Sequence, residues 1–201
     1  MFLPVSVTEN LGRSFQYAKD TLCRTWIEYV IVFVCALIPV VNLLTLPGFV
    51  VRVFRNDFAL GNWLMLVIDS VKALIITVVY LIIPTVISVV FGAVLGPRNI
   101  VTLAVSFVVC LVFVLLLIIA LVRFAKGEFG DAFQIGSVFA KISEIGWPNY
   151  LIAVLLAYLI LWVLGALCGL LGALGWLIMA LLVPFVLIGF ARYYANLYES
   201  A

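Results

Sequence analysis

The sequence predicts an all-α integral membrane protein with about six membrane segments arranged as three helical hairpins. The first observation behind this fold class is composition. Of the 201 residues, 68% are hydrophobic and 10% are charged. Soluble domains have roughly 45–50% apolar and about 25% charged residues. The mean hydropathy of +1.38 leaves too few polar groups to cover a soluble surface. The length allows one membrane domain, residues 1–201, and no additional soluble domain.

The second observation is that three hydrophobic blocks follow one another, each after a more polar segment. The second block, residues 71–123, is interrupted by Gly96-Pro97, and the third block, residues 148–198, is interrupted by a glycine-rich stretch. Gly-Pro pairs and clustered glycines mark turns. Each of these two blocks is therefore predicted to form a hairpin of two helices that cross the bilayer.

The first block, residues 26–55, allows two interpretations because Pro39, Asn42 and Pro47 lie in its middle. It forms either one kinked helix that crosses once, or two short helices that meet between Pro39 and Pro47. The second interpretation gives arms of about 13 and 8 residues, or about 20 and 12 Å. Such arms would reach only part of the way across an apolar core of about 30 Å.

The distribution of charge favours the doubled-back interpretation of the first block. If the block turns back, only Arg98 of the 11 Lys and Arg residues lies on the far face. A single crossing would instead divide these residues four against seven. Cytoplasmic loops carry an excess of Lys and Arg. We therefore expect a short or re-entrant first hairpin in the cell membrane, with both termini in the cytoplasm.

The polar segments between the blocks are predicted to lie along the cytoplasmic surface of the membrane. Residues 1–25 and 124–147 have apolar side chains on one helical face and charged side chains on the opposite face. This pattern is typical of amphipathic interfacial helices. Residues 56–70 are less regular, and Trp63 would anchor this interfacial segment at headgroup level.

Several functional classes are disfavoured by the residue inventory. There is no histidine, and the four cysteines are scattered singly, so we predict neither a metal site nor a cofactor. A net charge of +2 without a basic stripe argues against nucleic acid. Thr85, Ser88 and Ser106 have no acid or base partner within the apolar blocks. The chain is therefore expected not to be an enzyme.

Two sets of residues are candidates for function. The first set is a polar site at the break in the first block, formed by Pro39, Asn42, Thr45 and Pro47. Broken helices at membrane depth form substrate sites in transporters, whereas a turn packed at the outer interface is the alternative interpretation. The second set would contact headgroups or a partner on the cytoplasmic face, and it consists of Arg52, Arg55, Arg123, Lys126 and Arg192.

An ordered series of segments gives the chain a family resemblance. The series includes Gly48-Phe49-Val50-Val51-Arg52-Val53-Phe54-Arg55-Asn56, Trp63, Asp69-Ser70-Val71-Lys72-Ala73-Leu74, Tyr80, Pro84, Arg123-Phe124-Ala125 and Phe129-Gly130-Asp131-Ala132-Phe133. It resembles a prokaryotic membrane protein family called domain of unknown function 4013, many members of which are archaeal. Ser70 departs from the family, which often has glycine there. The resemblance implies a membrane location and this general layout, and it brings no known activity.

These observations lead to two functional hypotheses. The first is a non-enzymatic scaffold or accessory subunit that binds membrane lipids or another membrane protein, or associates with itself. It places function on the cytoplasmic face. The alternative is a small transporter or channel that uses the broken first hairpin around Asn42.

Overall fold

The computed structural model describes residues 7–23, 26–58 and 61–200, and most of them are helical. No β-strand occurs among these residues, so the all-α prediction is confirmed. A short 3-10 helix, Phe129–Phe133, precedes α6. The α-helices are α1 (Val7–Cys23), α2 (Trp26–Leu37), α3 (Pro39–Phe54), α4 (Trp63–Leu95), α5 (Ile100–Lys126), α6 (Ile135–Ile145), α7 (Trp147–Leu170) and α8 (Ala173–Glu199).

Four of these helices, α4, α5, α7 and α8, are long and apolar enough to cross a membrane. The 33 residues of α4 correspond to about 50 Å of helix, which exceeds the thickness of an apolar core of about 30 Å. The helices α2 and α3 are also apolar, but they contain only 12 and 16 residues. The chain therefore combines four candidate membrane spans with two shorter apolar helices.

The break between α2 and α3 is shorter than the sequence suggested. It falls at Ile38, and Pro39 is the first residue of α3, while Pro47 lies inside that helix. The residue before a proline is disfavoured in the helical region, and Ile38 has extended backbone angles of φ −94° and ψ 112°. Proline fits at the first helical position because its missing N–H would have no helical acceptor there. The predicted arms of about 13 and 8 residues are thus wrong for the second arm.

Helix boundaries fall inside two of the predicted interfacial segments. Residues 63–70 form the first two turns of α4, so only the residues before Trp63 connect the two helices. Similarly, α5 continues to Lys126, and α6 begins only at Ile135. Asn62 caps α4 through its side chain, which accepts a hydrogen bond from the Met65 N–H at 3.4 Å. This cap explains why the helix begins at Trp63.

The buried core lies towards the end of the bundle where α3, α5 and α8 finish. Buried side chains crowd the last turns of these helices and the first turns of α4 and α7. The other halves of α4, α5, α7 and α8 expose many large apolar side chains, among them Phe107, Trp162 and Leu170. Water would solvate such a surface poorly, whereas lipid would cover it without a penalty.

Three buried tyrosines connect the helices within this core. The hydroxyl of Tyr150 on α7 donates to the Leu115 carbonyl on α5 at 2.6 Å. Tyr80 on α4 donates to the Ala132 carbonyl at 2.6 Å, and Tyr193 on α8 donates to the Ala153 carbonyl at 3.3 Å. Buried tyrosine hydroxyls need such partners, and these bonds fix the helices against one another.

Candidate functional site

Charged side chains from the end of α3, from the 3-10 helix and from α4, α5, α6 and α8 gather at one end of the bundle. We call this region the charged end, and its members are Arg52, Arg55, Asp69, Arg123, Lys126, Asp131, Lys141, Arg192 and Glu199. Arg98 lies in the turn between α4 and α5, at the other end of those two helices. The charged end is therefore a property of the folded bundle and combines residues that are far apart in sequence.

A bidentate ion pair between Arg55 and Asp69 is the most buried charged contact in this region. The Arg55 Nη1 and Nη2 atoms lie 2.6 and 3.2 Å from the Asp69 carboxylate oxygens. The Asp69 side chain is only 6% exposed, whereas that of Arg55 is 34% exposed. Arg55 Nε also donates to the Ala125 carbonyl at 2.9 Å, near the end of α5. One guanidinium thus connects α3, α4 and α5.

Arg52 stabilises the connection between α3 and α4. It is only 8% exposed, and its Nη2 donates to the Asn62 carbonyl at 2.8 Å. Asn62 has a left-handed backbone conformation with φ 55°, which asparagine tolerates better than most residues. One turn earlier, the Gly48 N–H donates to the Ser70 hydroxyl at 2.7 Å. These contacts hold α3 directly against the first turns of α4.

A second group of contacts joins the end of α5 to the end of α8. Lys126 Nζ lies 2.5 Å from one Glu199 carboxylate oxygen, and Arg192 Nη2 lies 3.3 Å from the other. The ammonium groups of Lys126 and Lys141 lie 5.8 and 4.9 Å from the centre of the Tyr198 ring. These distances permit cation–π attraction. Three positively charged side chains, those of Lys126, Lys141 and Arg192, therefore contact Tyr198 or Glu199 in the last turn of α8.

The 3-10 helix positions Arg123 through Asp131. Arg123 Nε donates to the Asp131 carbonyl at 3.3 Å. The Asp131 side chain accepts from the Glu128 N–H at 2.8 Å, and the Glu128 side chain accepts from the Asp131 N–H in return. This capping box uses both carboxylates for the backbone. The two acids are therefore accounted for by local structure.

Polar residues also hold α1 against α8. Asn10 Nδ2 donates to the Tyr193 carbonyl at 3.1 Å, and Asn196 Nδ2 donates to Asn10 Oδ1 at 3.0 Å and to the Ser14 hydroxyl at 3.1 Å. Asn10 is 5% exposed, and Ser14 is fully buried. The face that α1 presents to the bundle thus contains a hydrogen-bond network beside its apolar side chains.

Comparison with known proteins gives a family. Residues 31–191 match the model of a family described as a protein of unknown function, DUF4013. That range covers well over half of the chain. The chain belongs to the DUF4013 family. The predicted resemblance is thus confirmed, and no match was found among curated proteins or among solved structures.

The family match divides the charged end of this DUF4013 protein. The matched residues include the Arg55–Asp69 pair and the Arg123 contact, and they end one residue before Arg192. All of α1 and the last eight residues of α8 before Ser200 lie outside the match. The family match therefore gives no information about the contacts between α1 and the end of α8, which come from the structure of this DUF4013 protein.

The five predicted contact residues lie at the charged end, but their environments differ. Arg52 is buried and bonded to backbone, and Arg55 is bound to Asp69. Lys126 belongs to the more accessible part, with a side chain that is 27% exposed. Contact of any of these residues with headgroups or a partner stays a prediction.

The predicted polar site at the break lies away from the charged end. The Asn42 amide donates to the Ala36 carbonyl at 3.0 Å, across the break at Ile38, and the Thr45 hydroxyl donates to the Val41 carbonyl at 2.7 Å. Pro39 begins α3 and Pro47 lies within it. The Asn42 amide thus satisfies a carbonyl that the break leaves without a helical partner, whereas the Thr45 hydroxyl adds a contact to a carbonyl inside α3.

A cavity of about 640 Å³ lies between α4 and α5 and is lined by hydroxyl-bearing residues among apolar ones. The hydroxyls of Thr85 and Ser88 donate to the Leu81 and Pro84 carbonyls of their own helix at 2.7 Å. No Asp, Glu, Lys or Arg lines this cavity. Among the residues that the structure describes, no three His, Cys, Asp or Glu side chains meet as metal ligands.

Sequence reasoning missed the polar contacts between α1 and α8. Asn10 and Ser14 are spaced by four residues, so they occupy one stripe of the α1 helix beside its apolar face. That spacing was the available signal. It gave no indication of the partner, because Asn196 lies more than 180 residues further along this DUF4013 chain.

Proposed function

We propose that this DUF4013 protein is a non-enzymatic scaffold or accessory subunit of the cell membrane. It binds lipid headgroups or another membrane protein through the charged end, with both termini in the cytoplasm. The observation that carries this proposal is the collection of Lys and Arg side chains at one end of four long apolar helices. Positive residues mark the cytoplasmic side and attract anionic headgroups.

The proposed topology has six segments, with α2 and α3 inserted as a short hairpin. Glu28 near the start of α2 and Asp57 after α3 line one cavity of about 420 Å³, which supports entry and exit on the same side. At about 1.5 Å per residue, α2 and α3 measure about 18 and 24 Å. Both are shorter than an apolar core of about 30 Å, as a re-entrant hairpin requires.

Cysteine labelling tests this topology. In a variant without native cysteines, we expect Gln16→Cys, Asp57→Cys and Glu144→Cys to react with an impermeant maleimide only after cell lysis. These three positions are exposed. Arg98→Cys should react in intact cells, because it lies in the opposite turn. Labelling of position 16 and position 57 from opposite sides would establish a single crossing and overturn the hairpin. Labelling of positions 16, 57 and 144 together from outside would reverse the orientation.

A flux assay separates the scaffold from the conduit. Liposomes that contain the wild-type protein should be no more permeable to protons, potassium or chloride than empty liposomes. The reason is that the Asn42 amide and the Thr45 hydroxyl already bond to the backbone. Flux through the wild type that Asn42→Leu abolishes would favour the conduit and overturn the scaffold. Thr85→Val serves as the control, since it removes a side-chain donor to a backbone carbonyl at a position away from the break.

A further inference from the structure

We propose that a phosphate-bearing anion binds in the cavity between α1 and the end of α8, held by Arg13 and Arg192. This cavity has a volume of about 450 Å³, and its lining includes Asn10, Arg13, Tyr17, Arg192, Asn196 and Glu199. The inference deepens the proposed function and rests on it, because it assigns headgroup recognition to one place at the charged end. We call this place the α1–α8 cavity.

Arg192 supplies the buried cation of the α1–α8 cavity. Its side chain is only 14% exposed, and its guanidinium lies 5.4 Å from the centre of the Tyr17 ring. Its Nη1 atom is buried and has no hydrogen-bond partner among the described residues. Buried donors are nearly always satisfied, and a guanidinium carries five of them. Arg192 thus has donor capacity that the protein itself leaves unused.

The contact between Arg192 and Glu199 does not saturate this guanidinium. The distance from Arg192 Nη2 to the carboxylate is 3.3 Å, whereas charge-assisted bonds of this kind are usually about 2.7–2.9 Å. Glu199 lies closer to Lys126, at 2.5 Å. Arg192 can therefore turn its Nη2 donor towards an anion while Lys126 continues to neutralise Glu199.

Arg13 supplies the second, accessible cation. Its side chain is 64% exposed, and it pairs with Glu9 on the preceding turn of α1. Exposed ion pairs of this type contribute about 1 kcal/mol or less, so an anion competes for Arg13 at little cost. The hydrogen bonds of Asn196 to Asn10 and Ser14 hold α1 in place, which keeps Arg13 beside Arg192.

Charge and geometry together specify a phosphate. Among the charged residues that line the α1–α8 cavity, Arg13 and Arg192 outnumber Glu199, which Lys126 also neutralises from outside the cavity. A planar guanidinium matches the oxygens of a phosphate in a bidentate manner. The cavity lies where α8 leaves its apolar segment, which is the level of a lipid headgroup. The phosphodiester of an anionic phospholipid and a free phosphate share this chemistry.

Native mass spectrometry of the full chain in detergent tests the inference. The probes are phosphatidylglycerol, phosphatidylcholine with the same acyl chains, and glycerol 1-phosphate. We expect the wild type to retain phosphatidylglycerol at least about tenfold more tightly than phosphatidylcholine, as one charge-assisted contact provides. Arg192→Gln and Arg13→Gln should each remove most of this preference. If glycerol 1-phosphate competes with phosphatidylglycerol, the site recognises a soluble phosphate. If it does not compete, the site recognises the lipid.

Matched variants keep this experiment interpretable. Arg98→Gln removes one positive charge at the opposite end and should leave the preference unchanged. Glu9→Gln removes a negative charge beside Arg13 and should strengthen phosphatidylglycerol binding. Because Arg13 is exposed, Arg13→Gln should fold even if Arg192→Gln does not, and thermal unfolding of each variant checks this.

Two results would overturn the proposal that the α1–α8 cavity binds the anion. They have different consequences for the proposed function. If Arg13→Gln and Arg192→Gln retain the wild-type preference while Lys126→Gln loses it, headgroups bind elsewhere at the charged end. The scaffold proposal would then stand without this site. If the wild type binds phosphatidylglycerol and phosphatidylcholine equally, two proposals are wrong: anion binding in the α1–α8 cavity, and headgroup recognition by the charged end.

Discussion

Replacement of Arg55 by alanine is expected to lower the free energy of unfolding by about 2–3 kcal/mol. The substitution leaves the Asp69 carboxylate buried without the guanidinium that now binds it at 2.6 and 3.2 Å. It also removes the donor to the Ala125 carbonyl, so one hydrogen bond to the end of α5 is lost. Breaking a fully buried pair typically costs about 3–5 kcal/mol, and the 34% exposure of Arg55 reduces that figure. Thermal unfolding in detergent, followed by circular dichroism, measures the loss.

Two control variants show whether the cause is the unpaired carboxylate. Glu144→Gln breaks the Lys141–Glu144 pair, in which the Glu144 side chain is 59% exposed, and should change stability by less than about 0.5 kcal/mol. Arg55→Met combined with Asp69→Leu removes both charges and should be more stable than Arg55→Ala, since no buried charge remains. Equal losses in Arg55→Ala and in the double variant would contradict this account of the pair.

Substitution of Gly48 by alanine is the second change with a large expected effect. A Cβ atom at this position would meet the Leu66 carbonyl oxygen and the Ser70 hydroxyl at distances that real Cβ atoms do not reach. The backbone of α4 cannot move aside as a flexible side chain could, so α3 and α4 must separate. Separation also breaks the 2.7 Å bond from the Gly48 N–H to Ser70. We expect a loss of about 2–3 kcal/mol, in the upper range for an overpacked site.

Gly169→Ala is the matched control for this substitution. Gly169 lies in α7, and apart from its chain neighbours and the surrounding helix backbone no atom lies within 4 Å of the position that its Cβ would occupy. Alanine also has a higher helix propensity than glycine, so Gly169→Ala should be neutral or slightly stabilising. Thermal unfolding of both variants in the same detergent compares them. A similar loss in both would mean that the close approach of α3 to α4 is not what destabilises Gly48→Ala.

Several parts of the fold follow from local sequence rules. The turns at Gly96 and Gly172 were predictable because glycine readily adopts the positive φ angles found there, 92° and 56°. The all-helical secondary structure and the long apolar spans were predictable from the length of the hydrophobic runs. In lipid, only a helix satisfies the backbone groups of an isolated segment.

Other parts escaped prediction because they depend on neighbours in space. Two prolines flank the predicted break in the first block, and the sequence could not decide which of them ends a helix. In the structure α3 continues through Pro47, where Thr45 and Gly48 are buried against other helices. Packing of this kind can hold a proline inside a helix that it would otherwise interrupt.

The candidate site shows the same division between pattern and contact. Residues 123–126, residue 192 and residues 52–55 were assigned to one face by charge alone, and the structure brings them to one end of the bundle. Charge could not reveal that Arg55 binds Asp69 or that Arg52 is buried. Charge also gave no indication of Asn10, because its side chain is uncharged and does not belong to the apolar pattern of α1.

The sequence by itself determined that the helices of this protein are suited to a lipid environment, that the fold is all-helical and that the charges are segregated along the chain. Each of these depends on composition or on residues within a few positions of one another, so no three-dimensional information is needed. Only the tertiary structure decided which charges are neutralised by partners and which keep unused donors, as Arg192 does at the α1–α8 cavity. The outcome for Arg192 depends on how α1 packs against α8, and the residues that hydrogen-bond between these two helices are separated by more than 180 positions in the chain.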